Sequence, residues 1–164
     1  MPKITTIVKV DMIQNFHVKR GSSEDVTTIR EFTRAAYEKW IPLIGREPLP
    51  MSADYEDTIK RHRFDLFYHD KQLVALIETI NNDDHLLIEN VCVTPSKQRI
   101  GIGKSLLDHA EAVARVEGYE TMRLNTNSLF KGNVGLYLRN GYIIDWEKPM
   151  DRGTHVHMHK SLLV

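Results

Sequence analysis

The chain has 164 residues, 22 Lys plus Arg against 22 Asp plus Glu, and 41% hydrophobic and 27% charged residues. That length suits one domain with a real core rather than two, and the balance of types is globular, not disordered or membrane-like. A formal net charge of zero excludes the overall basic field on which most nucleic-acid binders rely.

The single cysteine, Cys92, excludes an intrachain disulfide and favours a reducing compartment. No apolar run approaches the ~20 residues of a membrane helix. Residues 1–6 lack the apolar and small-residue segments of a signal peptide, so the expectation is a cytoplasmic protein with neither a membrane nor a nucleic acid as partner.

In chain order, Ile7 to Arg20 is rich in β-branched and aromatic residues, and Phe16 and Val18 alternate with His17 and Lys19, which predicts a first strand. Ser22 or Ser23 before Glu24 and Asp25 is a helix start. The helix should run to about Trp40 with an inward stripe of Val26, Ile29, Phe32 or Thr33, Ala36 and Trp40. Pro42 is expected to stop it, leaving a stiff apolar loop over Ile41 to Met51 that either packs as a connection or faces a substrate. Asp54 caps a short helix through about His62.

Phe64 to Tyr68 and Leu73 to Ile80 read as an antiparallel hairpin, followed by a polar turn and a central strand, Leu86 to Val93. After a glycine-containing turn, Leu106, Leu107, Ala110, Val113 and Ala114 mark one face of a helix that ends at Glu117-Gly118. Thr121 to Thr126 should return parallel to the central strand through a right-handed crossover. Asn133 to Asn140 forms a brief helix, and Tyr142 to Trp146 and His155 to His159 two last strands. The architecture is a single domain over 1–164, a mixed α/β sheet with helices on its faces.

The turn between the central strand and its helix, Gln98-Arg99-Ile100-Gly101-Ile102-Gly103-Lys104-Ser105, carries the chemistry. Gly101 and Gly103 leave no Cβ in the way of a close ligand, and the N–H groups from Arg99 to Ser105 are largely unpaired in a first helical turn, so the turn can hold a pyrophosphate. The third glycine of a dinucleotide fingerprint is missing, and so is the spacing of a Walker loop.

Gln98-Arg99-Ile100-Gly101-Ile102-Gly103 resembles the Gln/Arg-x-x-Gly-x-Gly/Ala pattern of the GNAT superfamily, the acetyl-CoA-dependent N-acetyltransferases. Val91-Cys92-Val93-Thr94-Pro95 upstream and Leu136-Tyr137 through Gly141-Tyr142 downstream extend the resemblance over roughly Leu73 to Trp146. Gly45 to Met51 resembles a loop of small uncharacterised bacterial members. The resemblance implies the acyl-CoA N-acyltransferase fold, a central, mostly antiparallel twisted sheet flanked by helices. It also implies acetyl-CoA as co-substrate and an acyltransferase that moves acetyl directly to a primary amine of a small molecule, peptide or protein, in a chain that by analogy pairs as a homodimer.

Carried over residue by residue, the resemblance makes Val91, Cys92 and Val93 the strand segment that pairs with the pantetheine arm. Gln98, Arg99, Ile100, Gly101, Ile102, Gly103, Lys104 and Ser105 become the pyrophosphate cradle. Asn133 becomes a cofactor contact, with Phe130 where the family often has asparagine, and Tyr137 the proton donor to the departing thiolate. A protonated amine near pKa ~10.4 also needs a base. Strand alternation, placing Glu89 on the face opposite Ile88 and Asn90, selects Glu89, with Glu78 as rival and a surface-paired carboxylate as the plainer reading.

Cys92 as an acetyl-carrying nucleophile has no histidine at a telling spacing and reads instead as a packing residue. His155, His157 and His159 lie on one strand face; no metal is expected there, and a solvated or substrate-lining face is the reading preferred. A CoA-binding module without catalysis, or a transferase for another acyl-CoA, is the alternative function.

Overall fold

The computed structural model describes residues 7–10, 14–98 and 100–163. Arg99 of the expected cradle, residues 11–13 of the first strand and the residues at the extreme N-terminus lie outside them. Eight strands form one sheet in the order β1-β2-β3-β4-β5-β6-β8-β7. They are β1 (Ile7–Val10), β2 (Gln14–Arg20), β3 (Arg63–His69), β4 (Gln72–Asn81), β5 (Leu86–Val93), β6 (Thr121–Asn127), β7 (Ile143–Pro149) and β8 (Thr154–Ser161). All pairings are antiparallel except β5 with β6, which the crossover through a helix makes parallel, as the sequence predicts.

Two helices cover the two faces. On one lies α1 (Val26–Tyr37), whose Val26, Ile29 and Ala36 pack on Leu66, Leu76 and Cys92 of the sheet. Thr33, not Phe32, completes the fully buried stripe. On the other lies α4 (Ile102–Val116), whose Ile102, Leu106, Leu107, Ala110, Val113 and Ala114 pack on Phe67, Ala75, Ile77, Leu86 and Ile88. Each buried aliphatic side chain contributes about 1.5–3 kcal/mol, so these stripes fix the helices to their faces.

Three predicted boundaries move. α1 ends at Tyr37, and after one 3-10 turn the chain continues as α2 (Ile41–Ile44), because Pro42 sits in its first turn, where no N–H is required of it. The expected loop over Ile41 to Met51 is therefore partly helical, closed by Gly45 at φ 71°. Trp40 leaves the core stripe and stacks on Phe130, ring centroids 4.5 Å apart. The β3–β4 hairpin is tighter than its sequence suggested: Asp70 and Lys71, at φ 47° and 64°, make a two-residue turn whose twist suits antiparallel strands. Asp54 caps α3 (Tyr55–Arg61) by accepting the Asp57 N–H, as expected.

Candidate active site

One extra residue in β5 creates the site. Thr79 pairs with Ile88 and Glu78 with Asn90, so Glu89 bulges out between them. Before the bulge Leu86 and Ile88 face the α4 core; after it Val91 and Val93 pack against that core and Cys92 faces α1. The alternation that placed Glu89 opposite both Ile88 and Asn90 is thus broken at Glu89 itself, and Asn90 points to the α1 side, where its Oδ1 accepts the Tyr37 hydroxyl at 2.5 Å.

Just before the bulge β5 and β6 part company. Their pairing runs from Leu86 with Met122 to Ile88 with Leu124 and stops. Thr94 N–H donates to Val74 O on β4, and two-residue alternation then turns the N–H and C=O groups of Val91 and Val93 away from β4, into the gap. Among the described residues only the Val93 carbonyl finds a partner there, the Gln98 side-chain amide at 2.9 Å. Lys39 in turn donates to the Gln98 oxygen.

A cleft of about 750 Å³ opens at this gap, walled by Tyr37, Lys39 and Trp40 at the end of α1, Val91 to Val93, the start of α4, and Asn133, Leu136, Arg139 and Asn140 of α5 (Lys131–Arg139). Its lining holds four cations, Lys39, Lys97, Lys104 and Arg139, and no carboxylate. In a chain of zero formal charge that is a local field for an anion. At its floor Gly101 takes φ 93°, a conformation in which a side chain would be strained, and starts α4 so that the first-turn N–H groups of Ile102 and Gly103 have no intrahelical acceptor. Ser105 is already committed, its N–H to Gly101 O at 3.3 Å, and drops out of the cradle of free donors.

A sequence model described as the acetyltransferase (GNAT) family matches residues 27–142, well over half of the chain. The chain belongs to that family. GNAT proteins are acyltransferases that use acetyl-CoA, and the cationic, carboxylate-free cleft beside an open strand edge fits such a donor. A comparison with curated proteins gives no match. Among solved structures, the fold is similar to PaiA N-acetyltransferase from Thermoplasma acidophilum in complex with coenzyme A (TM-score 0.76, 21% identity, 89% of this chain and 98% of that chain). It is also similar to the ribosomal-protein-S18-alanine N-acetyltransferase from Escherichia coli (TM-score 0.74, 16% identity, 91% and 95%). A GNAT acetyltransferase from Elizabethkingia anophelis with acetyl-CoA bound superposes over less, TM-score 0.58 at 16% identity, covering 65% of this chain and 80% of that one.

Within this GNAT scaffold, Val91, Cys92, Val93, Gln98, Gly101, Gly103, Lys104 and Asn133 all line the cleft. Ile102 is buried beneath it, and Ile100 lies exposed beside it. Gly103 serves a second need: a Cβ there would come within 2.8 Å of Leu136 Cδ2, so the glycine lets α4 and α5 approach as well as clearing room for a ligand. Tyr137 lies in the core, 6% exposed, with its ring edge-on to Tyr142 at 6.0 Å, and its hydroxyl makes no hydrogen bond among the described residues. Burial, with Cys92 nearby, raises its pKa, so the phenol stays protonated throughout the neutral range. Glu89 is exposed at the bulge; partial desolvation there raises its carboxyl, while His62 opposes the shift.

Cys92 is sealed, and burial pushes its thiol up to about 12, which removes it as a nucleophile. Two of the three histidines of β8 have partners on β7: Trp146 stacks on His157 at 3.5 Å, and His159 meets Asp145 at 2.6 Å; His155 lies against His157, ring centroids 4.5 Å apart. The residues missed in the sequence are Tyr37, Lys39 and Trp40, the last of them expected in a core stripe, and Lys97, Arg139 and Asn140. No local signal marks the cationic lining: Lys39, Lys97, Lys104 and Arg139 come from four separate segments, and Lys104 itself pairs with Asp108.

Proposed function

We propose that this chain is an N-acetyltransferase that moves the acetyl group of acetyl-CoA directly to a primary amine of a small molecule or peptide. The observation that carries the reading is the open edge of β5 at Val91 and Val93, beside the free N–H groups of Ile102 and Gly103 inside a cationic cleft. The coenzyme A and acetyl-CoA in two structural relatives support the same donor.

Acetyl-CoA supplies the activated thioester. Val91 and Val93 bind its extended arm as a strand binds a neighbour, the start of α4 with Lys97, Lys104 and Arg139 takes its phosphates, and the closing of the gap at Ile88 and Leu124 sets how far the arm reaches. That end point is the bulge, so Glu89 stands beside the acyl carbon and accepts the proton of the amine, directly or through one water. Tyr137, kept protonated by burial, gives its proton toward the leaving sulfur, whose thiol has an ordinary pKa of ~8.5.

Calorimetry with acetyl-CoA and a thiol-release screen over an amine panel test the reading together. Binding followed by amine-dependent thiol release is expected. Binding with no release for any amine would replace the enzyme by a CoA-binding module.

A further inference from the structure

The acetyl-transfer reading leaves one acid–base group unused. His62 is the residue at which α3 stops, and its Nδ1 lies 2.7 Å from Glu78 Oε1 on β4. The two side chains are nearly buried, 13% and 6% exposed. Glu78 is paired across the ladder with Asn90, which places it next to the bulge at Glu89. The contact is therefore an imidazole and a carboxylate set in a mostly apolar face, one register step from the residue that receives the amine proton.

An ionised carboxylate only accepts, so the proton between the two belongs to Nδ1, and the Nε2 lone pair is left facing outward. No described residue hydrogen-bonds to Nε2, and the atom is not sealed from solvent. The same logic governs any imidazole whose Nδ1–H is held by a carboxylate: the second nitrogen becomes a base of fixed direction. His62 is also close enough to Glu89 for its charge to favour the ionised form of that carboxylate.

Few other charges face it. From β4 and β5 come Glu78 and Glu89; from α3 comes Tyr55, whose hydroxyl donates to Pro50 O at 2.5 Å. Tyr37 and Cys92 lie farther along the same face, and burial keeps both neutral. Arg63 is turned to Asp65 on the opposite face, and Arg61 pairs with Asp57 on the surface of α3.

Resting on the acetyl-transfer reading, we propose that His62 and Glu78 complete the proton path of the reaction: Glu89 passes the proton taken from the amine through water to His62 Nε2, and Glu78 holds the imidazole in place. The ammonium gives its proton to the Glu89 carboxylate, which leaves the neutral amine. The Glu89 carboxylic acid gives that proton to a water, which hands one to Nε2, so Glu89 recovers its charge, and the imidazolium, paired with Glu78, releases the proton to solvent. One proton leaves the amine, one enters solvent, and the base is restored at each turnover. Glu89 is the residue that touches the reacting amine; His62 and Glu78 are positioning and relay residues.

The test is the pH profile of kcat/KM for the wild type, His62→Gln, His62→Ala with added imidazole, and Glu78→Gln. The wild type should lose activity on the acid side. His62→Gln should lose that limb and turn over about tenfold more slowly, free imidazole should restore part of the His62→Ala rate, and Glu78→Gln should move the limb to lower pH. An unchanged limb in His62→Gln, with a rate within about twofold of wild type, overturns the proposal. Nitrogen NMR of the wild type decides the pair without turnover: an Nδ1–H tautomer that changes in Glu78→Gln is expected, and an Nε2–H tautomer overturns it. Acetyl-CoA binding with no thiol release for any amine would instead fail the acetyl-transfer reading, a result the NMR tautomer does not depend on.

Discussion

Gly103 and Leu136 share a contact that admits no side chain at the glycine: a Cβ would stand 2.8 Å from Leu136 Cδ2. Both residues line the cleft, so this contact sets its width where α4 meets α5. Gly103→Ala should push Leu136 into the cleft and weaken acetyl-CoA binding about tenfold, roughly 1.4 kcal/mol, while the helix itself gains propensity. Adding Leu136→Ala should recover most of that affinity. Calorimetry on the two variants checks the pair, and an unaltered Kd in Gly103→Ala would separate the contact from the ligand.

Removing the Tyr137 hydroxyl should be costly for catalysis and cheap for folding, because that hydroxyl makes no hydrogen bond among the described residues and its ring stays in place in Tyr137→Phe. A drop in kcat of about a hundredfold is expected, with acetyl-CoA affinity and the urea midpoint close to wild type. A full rate would leave the phenol as a core residue only.

The cationic lining predicts a salt dependence. Lys97→Gln and Arg139→Gln should each weaken acetyl-CoA about fivefold at low ionic strength and lose most of that effect in high salt. Titrations across a salt series measure it. A salt-independent loss would point to packing by the aliphatic stems rather than to charge.

Two buried carboxylates should move stability in opposite directions with pH. Asp65, 3% exposed, is penalised by burial but held below the ordinary carboxylate range by His109 and Arg63, at 3.1 and 2.8 Å. The His109 contact has the distance of an ion pair without the alignment of a hydrogen bond. With a depressed folded pKa, Asp65 stabilises the fold above the unfolded carboxylate value of ~3.9, and that contribution is lost as pH falls through the depressed value. Asp65→Asn should cost about 3 kcal/mol at neutral pH and converge on wild type in acid. Glu78 has the opposite sign: burial raises its pKa, so ionised Glu78 weakens the fold at neutral pH and the penalty fades as pH falls below the raised value. Glu78→Gln should therefore be the more stable protein at neutral pH, although slower. Urea melts across pH measure both.

The order of elements was legible because its signals are local. Alternation at Phe16 and Val18, the three- and four-residue spacing in α4, and glycine at 101 and 118 each act within one turn or strand, and all three motifs of the family fall between Val91 and Tyr142. Pro42 misled because proline is read as a stop, whereas at the start of a new turn it costs nothing. The bulge at Glu89 left no mark in composition: one residue too many in a strand is visible only against its partner, here Thr79 and Glu78 on β4. For the same reason the cleft wall of Tyr37 and Trp40, and the meeting of His62 with Glu78 across the β3–β4 hairpin, are products of register rather than of any local pattern.

The gap between β5 and β6 leaves a strand edge exposed inside the domain, with the Val91 backbone groups and the Val93 N–H unsatisfied among the described residues. Such an edge is adhesive to any extended chain. On the proposed reading a bound donor completes that ladder, and so acts as a folding ligand as well as a reactant, raising stability by RT ln(1 + [L]/Kd). On that reading the empty protein is the form expected to aggregate first on heating.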